Sequence, residues 1–377
     1  MGWIVKVESK RGRGTRTAGR DGKVRSYRYK ARWRDPGGAI RSKTFARSRD
    51  AEAFVKDIEA TKDRGVYIDP RRGLMPFAEF FERFMANAPL KPATAALYRT
   101  HGRKYLLPVF GSQALSVITR EDVHAFVGKL RNEAGPATVE HVYRLLRRVM
   151  SAAVEEDRIG RNPAARIKVA KPKRREPRFL TAPEVSRLAA EVPERYRALV
   201  LLLSYGGLRI GEAAALRVED LDLLRGGVSV VRSFAEVEGK GILGETKTEK
   251  TRRVSTPPFL REELARHLEA FGTPRRRGSL VFTSDEGSPI LQSNFRKRVF
   301  YPACRRAGIE PLPHVHDLRH TAVALAIQVG MHPVAIKELA GHSSITTTLD
   351  VYGHLFKTLH EISADELDAL YRESAGT

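Results

Sequence analysis

The chain has 377 residues, and its 67 Lys and Arg against 44 Asp and Glu leave a formal net charge of +23, a self-repelling surplus that points to a polyanionic partner, nucleic acid before an anionic membrane. A hydrophobic fraction of 42% excludes wholesale disorder, and the single Cys304 excludes a disulfide-stapled secreted scaffold. The longest strongly apolar run, Ala198 to Leu203, is far short of the roughly 20 residues of a membrane span, and Lys6, Glu8, Lys10 and Arg11 interrupt the place of a signal peptide, so a cytoplasmic chain with no membrane partner is expected.

At this length two or three domains are expected. Residues 1–49 hold 16 Lys and Arg against 3 Asp and Glu. Within them Tyr27, Tyr29, Ala31 and Trp33 alternate with Arg28, Lys30, Arg32 and Arg34, the period of a strand with one aromatic and one cationic face. Asp35-Pro36-Gly37-Gly38 supplies a turn, and Ala39 to Phe45 returns as a second strand bearing Arg41 and Lys43. A helix follows from Ser48 or Asp50 to about Thr61, with Ala53, Phe54 and Ile58 as its apolar stripe. These residues form a sheet-plus-helix module, 1–62, whose cationic face suits a DNA groove; a merely solvated basic face is the other reading.

After a linker at 63–73, residues 74–165 read as an all-α domain of four helices. Phe77, Phe80, Phe81 and Phe84 recur at helical spacing, and Thr119 with Asp122 forms a capping-box start. Val139, Val142, Leu145, Leu146, Val149 and Ala153 make a further stripe, opened by Pro136 and closed by Asn162-Pro163. Residues 166–178 carry 7 basic residues against 1 acidic and read as an extended linker, with Lys171, Lys173, Arg174 and Arg175 as candidate DNA contacts. From 179 to 360 the chain is mostly helical with a small sheet. Arg197 to Tyr205 is an apolar helix stopped by Gly206-Gly207, Gly211 to Leu216 starts another, and Val228 to Arg232 and Lys247 to Ser255 are strand-like. Leu318, Ala322, Leu325 and Val329 align on a further helix. The end, 361–377, is an acidic helix with Ile362, Leu367, Leu370 and Tyr371 on one stripe.

Four signals in 179–360 carry chemistry: Gly207-Leu208-Arg209-Ile210-Gly211-Glu212; Thr246-Lys247-Thr248 with Arg253 downstream; His316-Asp317-Leu318-Arg319-His320; and Gly341-His342, ten residues before Tyr352. Each has a plainer reading. Arg209 alone reads as a helix-end arginine pairing with Glu212, Lys247 competes with Lys250, and His314, His316 and His320 have spacing for zinc, against which stands Arg319 in their midst. Cleaving a phosphodiester builds negative charge on the non-bridging oxygens, which guanidinium forks match best, and a phenol of pKa ≈ 10 is a poor nucleophile unless a cationic field favours its phenolate.

In this order the motifs resemble the tyrosine recombinase, or phage-type integrase, family. The resemblance covers 179–360, and the helical domain before it looks like the family's core-site binding domain. Residues 1–62 resemble, more faintly, an arm-site binding module. Gly206-Gly207 and Ala340 depart from the commoner residues at helix ends and in packing, not at catalytic groups. The fold so implied is multidomain and mainly α: an all-α core-binding domain, an α+β catalytic domain and a small N-terminal β-sheet and helix module.

The resemblance implies that Tyr352 is the nucleophile, that Arg209 and Arg319 clamp the phosphate, and that His316 takes the phenol's proton or steadies it. It further implies that Lys247 protonates the departing 5′ oxygen and that His342 donates to the phosphate. A 3′-phosphotyrosyl ester retains the bond energy, so rejoining needs no ATP, no metal and no cofactor. The implied function is site-specific recombination that integrates and excises a phage or mobile element. The implied partners are double-stranded DNA with core-type and arm-type sites, a homotetramer on that DNA, and accessory proteins that bend DNA or set direction. The acidic end packs on its own domain or docks on a neighbouring subunit. The rivals are a host-type resolvase of chromosome dimers, a metal-dependent transposase and a catalytically silent DNA-binding regulator.

Overall fold

Strand β3, Val24–Arg34, organises the N-terminal part of the chain, in a computed structural model that describes residues 2–8, 15–18, 24–35, 38–63, 69–170, 172, 175–237, 239–245, 251–271, 276 and 278–375. Three strands pair with it antiparallel: β1, Trp3–Glu8; β2, Thr15–Ala18; and β4, Ile40–Phe45. The first two were not legible as strands beforehand. Helix α1, Ser48–Asp63, covers one sheet face, against which Ala31 and Trp33 are buried and Tyr29 half-buried. The alternation read along β3 therefore holds.

Two details differ from expectation. The buried stripe of α1 is Ala51, Val55 and Ile58, at i, i+4 and i+7, with Phe54 beside it; Ala53 is exposed. Arg41 and Lys43 do not share the cationic face, because directly paired residues of an antiparallel ladder point the same way and their partners are Trp33 and Ala31. Lys43 Nζ sits 4.8 Å from the centre of the Phe54 ring on α1, and Arg41 Nε lies 2.9 Å from Asp35. The cationic face holds Arg28, Lys30, Arg32 and Arg34, with Val7, Val5, Trp3 and Ile40 as their cross-strand partners.

The helical part follows its periodicity closely. Helix α2, Phe77–Asn87, buries all four phenylalanines, each worth roughly 1.5–3 kcal/mol on leaving water. Helix α3, Pro92–His101, runs through a wide turn at Gly102–Leu106 into α4, Leu107–Phe110. Helix α5, Arg120–Glu133, is opened by the reciprocal bonds of Thr119 and Asp122, a device worth about 1 kcal/mol. Helix α6, Pro136–Glu155, buries the expected stripe, and Asn162 closes the bundle by donating to Arg147 O. With α3 and α4 taken as one broken helix, this is the four-helix core.

By its contacts the chain divides into two compact units, residues 1–173 and 174–377. The second opens with α7, Ala182–Glu191, and α8, Glu194–Gly206, whose leucines 199 and 201–203 fill its main core. The short α9 spans Ile210–Ala214. Strands β5, Leu221–Asp222, β6, Gly227–Val230, and β9, Arg252–Ser255, make a three-stranded antiparallel sheet. Strands β7, Arg232–Val237, and β8, Lys240–Glu245, pair with each other as a separate hairpin that the sequence did not announce.

Helix α10, Pro258–Ala270, packs on α8, followed by α11, Gln292–Asn294, and α12, Tyr301–Arg306. Cys304 on α12 is fully buried and its thiol is pushed up to about 12 by burial, the packed hydrophobe expected. Helix α13, Asp317–Gln328, packs on α8, and α14, Pro333–Ala340, on α13. On α13 the expected stripe stops short: Leu318 and Ala322 are buried, Leu325 is half-buried and Val329, beyond the last turn, is exposed. Helix α15 runs unbroken over Ile345–Ala375, so the acidic end continues the helix that carries Tyr352 rather than forming one of its own. Leu367 on it is exposed; the side chains of Ile362 and Leu370 lie outside the described residues.

Candidate active site

Glu212 is the anchor of the site. It sits in the first turn of α9 with its side chain 1% exposed, and its carboxylate accepts from two guanidinium groups. Arg252 Nη1 and Nη2 grip both oxygens at 3.1 and 2.7 Å, and Arg209 Nη1 donates to Oε1 at 2.7 Å. Arg209 N also donates to Oε2. Burial raises the carboxyl's proton affinity, but the bonds and charge of Arg252, with those of Arg209, outweigh it and bring the group down to about 2. The plain reading of Arg209 as a partner of Glu212 is thus true, and it is also what holds the guanidinium in place.

The strand period settles which arginine of β9 matters. Arg252 shares its face with the buried Val254 and turns inward; Arg253 turns outward to pair with Asp222. The downstream arginine read from the sequence, Arg253, is therefore off the site by one residue, and Arg252 takes its place. Lys247, with Lys250, lies outside the described residues, between β8 and β9.

Two glycines shape the floor. Gly207 caps α8 in the left-handed conformation at φ 65°, and its carbonyl accepts from Arg319 Nη1 at 2.7 Å. Gly341 caps α14 at φ 57°, and a Cβ there would come within 2.9 Å of the Arg252 side chain. Both positions need a backbone that side-chain-bearing residues rarely adopt. Arg319, on α13, is 3% exposed and its Nη2 donates to Ala340 O. Burial and the nearby Arg209 lower its pKa to about 9, so the charge remains at neutral pH. Two of its five N–H donors are spent on carbonyls, leaving three.

Three histidines surround these arginines. His316 has its pKa lowered to about 4, by the protein packed around the ring and by His320, Arg319 and Arg209, although its outer part is open to solvent. His342 is lowered to about 4 by burial and then by Arg319 and Arg209, and its Nδ1 is 2.9 Å from Thr348 Oγ1. Both rings are neutral at pH 7, so each offers one donor and one acceptor. His320 Nδ1 lies 2.6 Å from Tyr352 Oη.

Tyr352 is 1% exposed, among Val323, Ile327 and Ile336, with the Phe179 ring 5.9 Å from its own. Its phenol is pushed up to about 12 by burial, against which Arg319 works. Burial outweighs the field of Arg319, and Tyr352 keeps its proton here. Arg209, His316, Arg319, His342 and Tyr352 lie together in one cluster, Arg319 acting on each of the two histidines and on Tyr352. Among the described residues no group of three His, Cys, Asp or Glu is placed to hold a metal ion.

Sequence reasoning missed Glu212 as an anchor, Arg252 and the contact of His320. Of the linker cations, Arg175 donates to Asp317 Oδ2 at 2.8 Å and to Leu312 O while its side chain stays exposed; Lys171, Lys173 and Arg174 lie outside the described residues.

Comparison with known proteins shows the family and the fold. The model of the phage integrase family matches residues 178–358, and that of the phage integrase central domain matches 77–170. A protein of Mycobacterium tuberculosis (strain ATCC 25618 / H37Rv) named for the phiRv2 prophage integrase is 31% identical over 359 residues, which cover 91% of this chain and 94% of its own. The ICEBs1 integrase of Bacillus subtilis (strain 168) is 28% identical over 280 residues, 71% and 75% of the two chains. Among solved structures, the Tn1549 transposon integrase in complex with a circular intermediate DNA superposes with a TM-score of 0.65 at 18% identity, over 74% of this chain and 95% of that one. A lambda integrase dimer bound to a core site does so with 0.58 at 20%, over 89% and 93%. At these identities the structural likeness speaks for the fold.

Proposed function

The chain belongs to the phage integrase family of tyrosine recombinases, and we propose that it cleaves and rejoins DNA strands at specific sites through a 3′-phosphotyrosyl link to Tyr352. It is a site-specific recombinase by family. The observation that carries the chemistry is the arginine cluster: Arg209 and Arg252, with one carboxylate, Glu212, between them, lie near Arg319, and Arg319 stands beside Tyr352. Guanidinium groups held this way present preorganised donors to a phosphate whose charge rises in the transition state. Arg209 and Arg319 act as the clamp, His342 as a further donor and Lys247 as the acid that protonates the leaving 5′ oxygen.

Double-stranded DNA is the partner in this reading, as in the complexes of the Tn1549 and lambda integrases. Residues 74–165 with the catalytic unit take the core site. Residues 1–62 take arm sites through Arg28, Lys30, Arg32 and Arg34, whose face also exposes Trp3, Val7 and Ile40. The reaction belongs in a homotetramer in the cytoplasm of the host cell, on the nucleoid, aided by proteins that bend DNA or set direction. No described helix is long and apolar enough to cross a membrane.

Two experiments test this. On a nicked suicide substrate in EDTA, the wild-type chain is expected to form a covalent adduct visible as a shifted band on a denaturing gel, and Tyr352→Phe none. An adduct with Tyr352→Phe, or none with the wild type, overturns the assignment. Deleting residues 1–62 is expected to spare binding to a core-site duplex while abolishing integrative recombination; undiminished recombination removes the arm-binding role.

A further inference from the structure

His320 sits one helical turn beyond His316 on α13 and faces α15, where its Nδ1 meets Tyr352 Oη at 2.6 Å. The two rings are 5.8 Å apart and tilted by 52°, so the imidazole approaches the phenol with its nitrogen edge. The phenol holds its proton up to about 12, while burial, with Arg319 adding and Asp317 opposing, keeps His320 below its ordinary value. Both groups are thus neutral, and with the His320 proton on Nε2 its Nδ1 accepts from Tyr352 Oη, aligned for a proton to move. His316 stands differently: its ring meets the edge of His320 at 5.0 Å and 89°, and among the described residues no hydrogen bond joins it to Tyr352.

We propose that His320, rather than His316, accepts the proton of Tyr352 when the phenol attacks the phosphodiester. The inference rests on Tyr352 being the nucleophile. In the forward step Oη bonds to phosphorus while the Oη–H proton passes to His320 Nδ1. The P–O5′ bond breaks with its electron pair on O5′, which takes a proton from Lys247 or water and leaves as a hydroxyl. In rejoining, a 5′ hydroxyl attacks the phosphorus, the P–Oη bond breaks, and the His320 imidazolium returns its proton to Oη. No oxidant or metal enters the balance. The large gap in proton affinity keeps the proton on Tyr352 at rest; it closes only as Oη shares its electrons with phosphorus, which is when a general base acts. His316 is left solvent-open beside Arg209 and Arg319, suited to donating to the phosphate.

The test uses the full chain on a suicide DNA substrate under single-turnover conditions, with DNA affinity measured by gel shift. His320→Asn keeps an acceptor near the Nδ1 position but takes no proton, and is expected to slow adduct formation by roughly 10²–10⁴-fold at unchanged affinity. Placing 3,5-difluorotyrosine at position 352, a more acidic phenol, is expected to restore at least tenfold of that loss in His320→Asn and little in His316→Asn. His320→Gln, run in parallel, keeps the test decisive should one variant fail to fold. A wild-type rate in the His320 variants, a defect that fluorination leaves unchanged, or a restoration confined to His316→Asn each overturns the proposal. An adduct formed by Tyr352→Phe overturns the underlying assignment instead, so the two failures are told apart.

Discussion

Arg209→Ala is expected to slow adduct formation by roughly 10²–10³-fold, the usual cost of removing one preorganised donor from a developing charge. Arg209 spends Nη1 on Glu212, and its side chain, 25% exposed, keeps its remaining donors for a phosphate arriving from solvent. Arg209→Lys is expected to recover little, because a point charge on a flexible stem cannot hold Glu212 and a phosphate oxygen together as a planar fork does. DNA affinity is expected to stay close to wild type, since 13 of the 23 surplus charges lie within residues 1–49. Single-turnover trapping beside gel-shift titration checks both statements. A parallel collapse of affinity and rate contradicts the division between binding and chemistry.

Glu212→Gln is expected to lose about 3–5 kcal/mol of stability, because it removes the shared anion from a buried cluster and leaves two guanidinium groups facing each other without it. The effect has a pH signature. The carboxyl stands at about 2 in the folded chain against the 4.5 of an ordinary glutamate, so its contribution is complete above 4.5 and disappears as the pH falls toward 2. Urea unfolding is therefore expected to show a large gap between wild type and Glu212→Gln at pH 7 that narrows progressively below pH 4.5. A gap independent of pH would mean that the carboxylate's charge is not what holds the arginines.

Much of this site was legible because the chain writes its chemistry in short motifs on helix ends. Arg209 and Arg319 stand out by their neighbours, and His342 and Tyr352 by the ten-residue step between them. What was missed depends on the third dimension. Arg252 and Arg253 differ only in which way a short strand turns, and the strand's phase is set by β6, whose pairing partner lies more than 20 residues away. His316, Arg319 and His320 lie within one turn and a half of helix, and only the packing of α15 against α13 decides which ring meets Tyr352. The face that Arg41 and Lys43 share was not readable, because cross-strand register, not alternation within one strand, orients β4 against β3. Glu212 looked like the partner of Arg209 and is one; its second role needed Arg252 to be in view.

Helix α15 makes the nucleophile part of a long rod. Its 31 residues span about 46 Å at 1.5 Å each, and Tyr352 lies about two turns from one end while the other end stands about 35 Å beyond it. Whatever twists or draws on that far end acts on the phenol with leverage, as a handle acts on a key bit. The rod has one soft joint beside the bit: Gly353 follows Tyr352 directly, where a glycine costs a helix about 1 kcal/mol relative to alanine, and a side chain added there would meet no neighbour within 4 Å. A load on the far end is therefore concentrated at the joint beside Tyr352 rather than spread evenly along the shaft.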